Sequence, residues 1–329
     1  MEHLFTKRRT VSGSGNLKKI GGSTILVLSE AERVGIEWRK IPYTDLFQLT
    51  YRGVSKYFHG QTPSETTEFA HYLCLNKRFA KNVLAEAGVS VSDEYLITGD
   101  DSREYLLEVF EKLQKPLVLK PVNDAHGDNV FLRIQNETEY FAAIEKIKDF
   151  YGSQDVHILV ETMFFGDEYR VLATKDKILS VIKRIPANVV GDGSSTIEAL
   201  VAQKNTDPIR NTIERYSNIT VDATILSFLE AQGYSLQSVP HKDEHIFLRE
   251  HSPLNISLGG DTLDVTDEIH SSVHEVIHTV MQNIPGLSLA GIDFMCDDIT
   301  RPLTADSYII IELNDSPSLD WNAFPLSVN

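Results

Sequence analysis

Apolar positions recur with two different periods along the chain, and each period predicts a different kind of element. A helix is predicted between Asn76 and Gly88, because apolar residues fall at helical spacing at positions 80, 83, 84 and 87 and the glycine is a stop signal. Short apolar runs bounded by turn residues predict strands. These runs cover residues 24–28, 36–41, 117–120, 130–134, 156–161, 169–173, 178–185, 245–249, 287–294 and 308–313.

Capping residues predict where the other helices begin. Residues 62–65 combine a capping threonine, a proline suited to the first helical position and a glutamate that can reach back to the cap. Ser102 and Asn136 each precede an amphipathic run, and residues 195–198 read as a capping box. Two more helices are predicted, one ending at Gly233 and one over residues 271–282.

The strand–loop–strand–helix–strand unit over residues 117–161 has the size of a small nucleotide-clamping lobe.

The chain of 329 residues is long enough for two or three lobes. The formal charge of −16 argues against a nucleic-acid partner. No apolar run reaches the ~20 residues that cross a bilayer, and residues 1–22 lack the apolar stretch of a secretory signal. With two cysteines far apart in sequence, a reducing cytoplasm is the expected location.

Oxygen-bearing side chains follow the last two predicted strands. Asp293 ends one strand, and Glu312 and Asn314 end the next. Glu312 and Asn314 share a face because they are two residues apart, and Asp293 joins them if the strands are neighbours. Such a cluster suits Mg²⁺, which prefers oxygen ligands. The alternative is a pair of strands that simply emerge into solvent.

A lysine and a polar loop follow the predicted strand 117–120. Lys120 can reach a phosphate as a point charge, and the backbone of residues 121–129 can fold over phosphate oxygens. The loop is not a Walker A motif, and an ordinary polar hairpin loop is the alternative. Within it, His126 either touches phosphate or is solvated.

The segment 160–170 leaves a strand and passes through an apolar hinge. Its backbone can receive adenine, Glu168 can accept from ribose hydroxyls, and Arg170 shares the face of Glu168. An interlobe linker is the alternative reading.

Together these features resemble the ATP-grasp superfamily, and most of all the ATP-grasp portion of bifunctional glutamate–cysteine ligase/glutathione synthetase and of cyanophycin synthetase. The resemblance covers about residues 66–325. It is carried by segments 76–77, 83–89, 119–121, 168–170, 184–193, 248–250, 255–261, 264–268, 291–293 and 312–314.

The resemblance implies an α+β, ATP-grasp fold in which two α/β lobes clamp ATP. Residues 1–65 would be an N-terminal segment and 66–329 the ATP-grasp domain, with a small lobe at about 90–165 and a metal and substrate lobe at about 166–329. It also implies a role for each matching residue. Nucleotide binding is expected of Lys77, Lys120, His126, Gly127, Glu161, Thr162, Met163, Phe164 and Glu168; metal binding of Asp293, Glu312 and Asn314; and reaction-site roles of Arg170, Arg184, Arg249 and Asn255.

The activity implied is that of an ATP-dependent carboxylate–amine ligase that works through an acyl phosphate. Its cofactors would be ATP and Mg²⁺, with Mn²⁺ as a substitute, and its substrates amino acids or a small γ-glutamyl peptide. No nucleic acid or membrane partner is expected, and a homodimer is the common assembly of such ligases. Glutathione synthetase proper, an ATP-grasp kinase and a silent ATP-binding module remain alternatives. The covering loop has only Gly127 where relatives carry more glycine, and segment 315–325 differs from the glutathione-synthetase version.

A second motif points to different chemistry. His274, Glu275 and His278 match the His-Glu-x-x-His pattern of zinc proteases on a predicted helix. Apolar residues beside them form a core stripe and no third ligand is indicated, so the metalloprotease is a minor alternative.

Overall fold

The computed structural model describes residues 20–122, 129–152, 156–208, 210, 217–250 and 258–325. Within these ranges, none of the helices combines the length and the apolar character needed to span a bilayer.

The first described element is a helix, α1 (Gly22–Arg33), followed by a four-stranded antiparallel sheet. The strands are β1 (Glu37–Lys40), β2 (Leu46–Tyr51), β3 (Val54–His59) and β4 (Thr62–Pro63). The strand predicted over residues 24–28 is therefore wrong. Leu28 and Ala31 are buried one helical turn apart on α1, so tertiary packing overrides the β-branched run in favour of a helix.

Two helices connect this sheet to the rest of the chain, α2 (Glu68–Leu75) and α3 (Lys77–Glu86). The helix start predicted at residues 62–65 is wrong, since Thr62 and Pro63 pair with β3 and the hydroxyl of Thr67 caps α2 instead. The helix predicted after Asn76 is confirmed. The Asn76 side chain accepts from Phe79 N, and Gly88 follows the helix with a φ of +79° that favours glycine.

A four-stranded antiparallel sheet in the order β5-β8-β6-β7 forms the small lobe. Its strands are β5 (Glu94–Thr98), β6 (Leu117–Pro121), β7 (Phe131–Ile134) and β8 (His157–Thr162), and the helices α4 (Arg103–Lys112) and α5 (Glu137–Tyr151) pack on it. Ser102 and Asn136 cap these helices as predicted.

A five-stranded antiparallel sheet in the order β13-β10-β9-β14-β15 forms the large lobe. Its strands are β9 (Asp167–Thr174), β10 (Ile178–Ile185), β13 (Asp261–Asp264), β14 (Leu289–Cys296) and β15 (Tyr308–Asn314). Tyr169, Val171, Ile292 and Phe294 face a core shared with α2, α3 and α8 (Ser271–Asn283). Because side chains alternate along a strand, the intervening residues of β9 and β14 face the other side, where the candidate site lies.

A smaller core completes the large lobe. The hairpin of β11 (Asn188–Val190) and β12 (His245–Phe247) packs with α6 (Ile197–Lys204) and α7 (Ala223–Ala231). The cap of α6 is Thr196, one residue later than the predicted capping box begins. A last short helix, α9 (Asp320–Ala323), follows β15 and contacts α1.

Candidate functional site

Four charged side chains meet where β9, β10 and β14 lie side by side. Arg170 on β9 pairs in register with Asp293 on β14, and Arg184 on β10 pairs with Glu168 on β9. Arg170 Nη1 donates to Asp293 Oδ1 at 2.6 Å, and Arg184 Nη2 lies 3.2 Å from the same oxygen. Arg184 Nη1 also donates to Glu168. The two arginines and two carboxylates therefore form one connected cluster, in which Asp293 is half-buried and the other three are buried.

The arginines of this cluster have donors to spare. Among the described residues, Nε of Arg170 and Nε of Arg184 are buried without a hydrogen-bond partner. An unpaired buried donor costs free energy, and a bound anion would remove that cost. The cluster is therefore suited to a phosphate or a carboxylate.

The three predicted metal ligands lie on neighbouring strands. Asp293 is the register partner of Glu312, and Gly291 is the partner of Asn314. Directly opposed residues of antiparallel strands point to the same face, so Glu312 shares the face of Asp293, and a register shift after Asp293 marks a bulge in the ladder. Lys77 Nζ, at the start of α3, lies 3.2 Å from Glu312 Oε2.

The donor set at these strand ends fits a divalent cation. Asp293, Glu312 and Asn314 offer only oxygens, and the side chains of Asp293 and Glu312 are 15% and 26% exposed, so both carboxylates can be reached. Across the described ranges, no group of three His, Cys, Asp or Glu side chains is arranged to hold a metal ion. The predicted set has two carboxylates and one amide, and substrate phosphates would have to supply further oxygens.

Neighbouring charges set the protonation of the acidic residues. Burial alone would raise the pKa of Asp293, but Arg170 and Arg184 together hold it below its ordinary value. Glu168 behaves differently, because burial raises its pKa to about 7 despite the opposing effect of Arg184. Asp293 is therefore held as the anion that a cation would bind, whereas Glu168 titrates near neutrality.

A second cluster joins the small lobe to α3. Glu161, at the end of β8, accepts from Lys120 Nζ at 2.9 Å and from Lys81 Nζ at 2.6 Å. Lys81 also donates to Ser92 Oγ at 2.8 Å and Glu94 Oε2 at 3.0 Å. Glu161, expected beside adenine, thus lies between two ammonium groups in this structure.

The lysines of this cluster influence one another. Burial lowers the pKa of Lys120, the pairing with Glu161 opposes this, and Lys81 and Lys77 lower it further. Burial would likewise lower the pKa of Lys81, but Glu161 and Glu94 raise it. Three ammonium groups therefore lie close enough to interact, an arrangement suited to a polyphosphate.

Sequence reasoning missed Lys81. It is 3% exposed, on the side of α3 that carries the buried Ala80 and Leu84. A lysine is almost never fully buried unless it is paired. The available signal is its position on this face of the helix, four residues after Lys77.

The predicted adenine hinge is tied to the small lobe by its backbone. Thr162 N donates to Asp93 O at 3.1 Å, and Met163 N donates to Pro116 O at 2.9 Å. Thr162 Oγ1 is buried without a partner among the described residues. Two backbone amides of the hinge already donate hydrogen bonds within the small lobe. The edge of an adenine base would therefore contact the backbone carbonyls of the hinge or its Phe164 end.

The remaining predicted residues lie elsewhere or outside the described ranges. Arg249 Nη2 lies 2.5 Å from Asp222 Oδ2 at the start of α7, so its ion pair is with α7 and not with the arginine cluster. His126, Gly127 and Asn255 lie outside the described residues. Asn129, in place of a second glycine, has a φ of +57°, which asparagine tolerates better than most residues.

The zinc-protease motif does not form a metal site in the described residues. His274, Glu275 and His278 are exposed on α8, while Val273 and Ile277 of the same helix are buried. The described part of the chain supplies no third ligand that would complete a site with them.

The helices and sheets of the two lobes match those of solved ATP-grasp proteins, and the predicted fold is confirmed. The crystal structure of a bifunctional glutathione synthetase from Pasteurella multocida superposes with a TM-score of 0.70 and 28% identity, covering 92% of this chain and 41% of that one.

Sequence relatives agree with the structural match, and the resemblance to the ATP-grasp superfamily is confirmed. The cyanophycin synthetase of Trichormus variabilis is 33% identical over 308 residues, which are 93% of this chain and 33% of that protein. The glutathione biosynthesis bifunctional protein GshAB of Desulfotalea psychrophila is 29% identical over 307 residues, 92% of this chain and 38% of that protein. The chain thus spans about a third of the length of the curated relatives it matches. No family model matches it.

Proposed function

We propose that this chain is an ATP-dependent carboxylate–amine ligase that forms an amide or peptide bond. The observation that carries the proposal is the charged face of the large lobe, where Arg170 and Arg184 meet Asp293 and Glu168. The buried lysines beside Glu161 support it. Relatives named for cyanophycin and glutathione synthesis point to amino acids or a small γ-glutamyl peptide as substrates.

We assign the nucleotide to the space between the lobes. Lys77, Lys81 and Lys120 would hold the phosphates, with Glu161 orienting the last two. Residues 161–164 would receive adenine, and Glu168 would accept from the ribose hydroxyls after releasing Arg184.

The metal ligands would be Asp293, Glu312 and Asn314, with Mg²⁺ as the natural ion and Mn²⁺ as a substitute. A bound divalent ion would neutralise charge on the terminal phosphates of the nucleotide. Arg170 and Arg184, each with a spare donor, would bind the anionic oxygens of the transferring group.

The reaction consists of two substitutions. A carboxylate oxygen of the acid attacks the γ-phosphorus of ATP, the bond to the β–γ bridging oxygen breaks, and ADP leaves with an acyl phosphate formed. The amine nitrogen then attacks the acyl carbon, loses a proton, and inorganic phosphate leaves with the C–O bond electrons. Arg170 and Arg184 would stabilise the negative charge that builds on the phosphoryl and tetrahedral oxygens.

Phosphate release and product mass test this proposal together. The full chain with MgATP is screened against pairs of amino acids and against γ-glutamyl dipeptides, with phosphate and ADP measured and products weighed by mass spectrometry. We expect one pair to yield ADP, phosphate and an amide in equal amounts. ADP with a phosphorylated acid and no amide would instead identify a kinase, and ATP binding without turnover across the screen would identify a silent module.

Glutathione synthetase proper is a narrower form of the same proposal. The Pasteurella multocida structure and the GshAB sequence favour it. γ-Glutamylcysteine with glycine is therefore included in the screen, and glutathione as the product would decide for it.

The setting of the enzyme is also proposed here. We place the start of the ATP-grasp domain near residue 66, with the lobes meeting near residue 165. Its two cysteines are free and buried, which suits a reducing cytoplasm. A homodimer is the expected assembly, and size-exclusion chromatography with light scattering tests it.

A further inference from the structure

The segment after β15 joins the N-terminal helix to the charged face of the sheet. Asp320 is 8% exposed, and its carboxylate lies at the N-terminus of α1, where a negative charge is favourable. Ser23 Oγ accepts from Leu319 N at 3.0 Å and lies 3.4 Å from Asp320 Oδ2. Gly21, at the cap of α1, offers no side chain of its own, so the carboxylate comes from a residue almost 300 positions away.

The two residues after Asp320 reach strand β10. The indole of Trp321 lies over the guanidinium of Arg184, 5.3 Å from ring centre to Cζ. Asn322 Nδ2 donates to Ser180 Oγ at 2.9 Å, on the same strand. Arg184 therefore contacts two carboxylates and one aromatic ring.

We propose that Trp321 is a positioning residue for Arg184, and that α1 holds Trp321 in place through Asp320. A guanidinium with two carboxylate partners can adopt more than one orientation. The Trp321 ring excludes the orientation in which the Arg184 guanidinium turns away from the sheet. The N-terminal segment is thereby part of the construction of the active site. The catalytic consequence rests on the proposed function, whereas the structural link does not.

Two adjacent glycines provide a matched pair of variants. A Cβ added at Gly22 would lie 2.9 Å from Asp320 Oδ1 and 3.3 Å from its Cγ, so the carboxylate would have to move. A Cβ added at Gly21 would meet nothing within 4 Å. Gly22→Ala therefore displaces the Asp320 carboxylate from the start of α1, and Gly21→Ala makes the same chemical change without touching it.

Tryptophan fluorescence reads the position of the ring directly. The chain has two tryptophans, so Trp38→Phe leaves Trp321 as the single reporter. In that background we expect Gly22→Ala to shift the emission to the red and to increase acrylamide quenching, with Gly21→Ala unchanged. Circular dichroism checks that both variants fold. Equal emission from a folded Gly22→Ala protein and its control would overturn the link.

Kinetics with the substrate pair found in the screen then test the effect on Arg184. Trp321→Ala should lower kcat/KM for the acid about 10- to 100-fold, as expected for a misplaced catalytic group, and leave KM for ATP unchanged. Trp321→Phe should restore most of the loss. An equal defect in both variants, or a loss confined to KM for ATP, would contradict the positioning role. If no pair is turned over, the ligase proposal fails while the fluorescence result still decides the link.

Discussion

Arg170 lies flat against a glycine, and this contact determines how close it can come to Asp293. A Cβ at Gly291 would lie 2.5 Å from Arg170 Nε and 2.6 Å from its Cζ. Any side chain at this position would therefore displace the guanidinium from the neighbouring strand. The charged cluster therefore requires that residue 291 has no side chain.

We predict that Gly291→Ala lowers turnover about 10- to 100-fold while the protein remains folded, because it displaces Arg170 by an ångström or more. The measurement is phosphate release with the substrate pair from the screen. Arg170→Ala supplies the matched background, since the clash disappears with the guanidinium. Adding Gly291→Ala to Arg170→Ala should change little further. Additive losses would show that the glycine acts through something other than Arg170.

Glu312→Gln removes one negative charge and keeps the shape of the side chain. We expect turnover to be abolished, because the variant weakens the proposed cation site and removes the negative charge that lies 3.2 Å from Lys77 Nζ. Calorimetry with Mn²⁺ and ATP measures the loss of metal affinity separately. Glu275→Gln, an exposed substitution on α8, is the control and should behave as wild type. Unchanged ATP consumption in Glu312→Gln would refute the metal assignment.

At the scale of residues, the sequence identified the candidate metal ligands but not the ion pairs that they form. Asp293, Glu312 and Asn314 were predicted to share a face, and the register of β14 and β15 places the first two opposite each other. Whether they bind a metal stays a prediction. The partners of Asp293 could not be foreseen, because Arg170 and Arg184 reach it through pairings set by the order of strands.

Some helix starts could be predicted at the scale of elements. The side chains of Asn76, Ser102 and Asn136 each accept from a backbone amide three residues on. The errors at residues 24–28 and 62–65 have a different origin. Both segments carry a valid local signal, and contacts with α9 and with β3 override it.

Two of these caps make a matched pair of variants. Asn76→Ala and Ser102→Ala should each lower the free energy of unfolding by about 1 kcal/mol. Only Asn76→Ala should also raise KM for ATP, because α3 carries Lys77 and Lys81 whereas α4 lies away from both charged clusters. Urea unfolding and ATP titration are the measurements. An equal change of KM in the two variants would mean that the helix start does not position the lysines.

The whole molecule combines a net negative charge with buried, positively charged side chains. The formal charge of −16 gives no information about Lys81, Lys120 and Glu161. These residues come from three elements far apart in sequence, and their contact depends on how α3 docks against the small lobe. Composition gives only the net charge of the chain, whereas the site depends on which charged residues the fold brings together.

The pH dependence of the free energy of unfolding tests the effect of burying the Glu168 carboxyl group. The pKa of Glu168 is raised from 4.5 to about 7, so between these values the folded protein binds more protons at this site than the unfolded chain. The contribution of Glu168 is therefore fully present below pH 4.5 and is lost as pH rises through about 7. Glu168→Gln keeps a neutral side chain at every pH. Relative to this variant, the wild type should lose stability by up to about 1.4 kcal/mol per pH unit across the window.

Urea unfolding of both proteins at several pH values between about 5 and 8 measures this difference. Asp293 and Glu161 contribute in the opposite direction, because their pKa values are lowered from 3.8 and 4.5, so above about pH 5 both are ionised in the folded and the unfolded protein and add little to the slope. A Glu168→Gln protein whose stability ran parallel to wild type over the window would show that Glu168 is already ionised in its pairing with Arg184, and that this pair outweighs the cost of burying it.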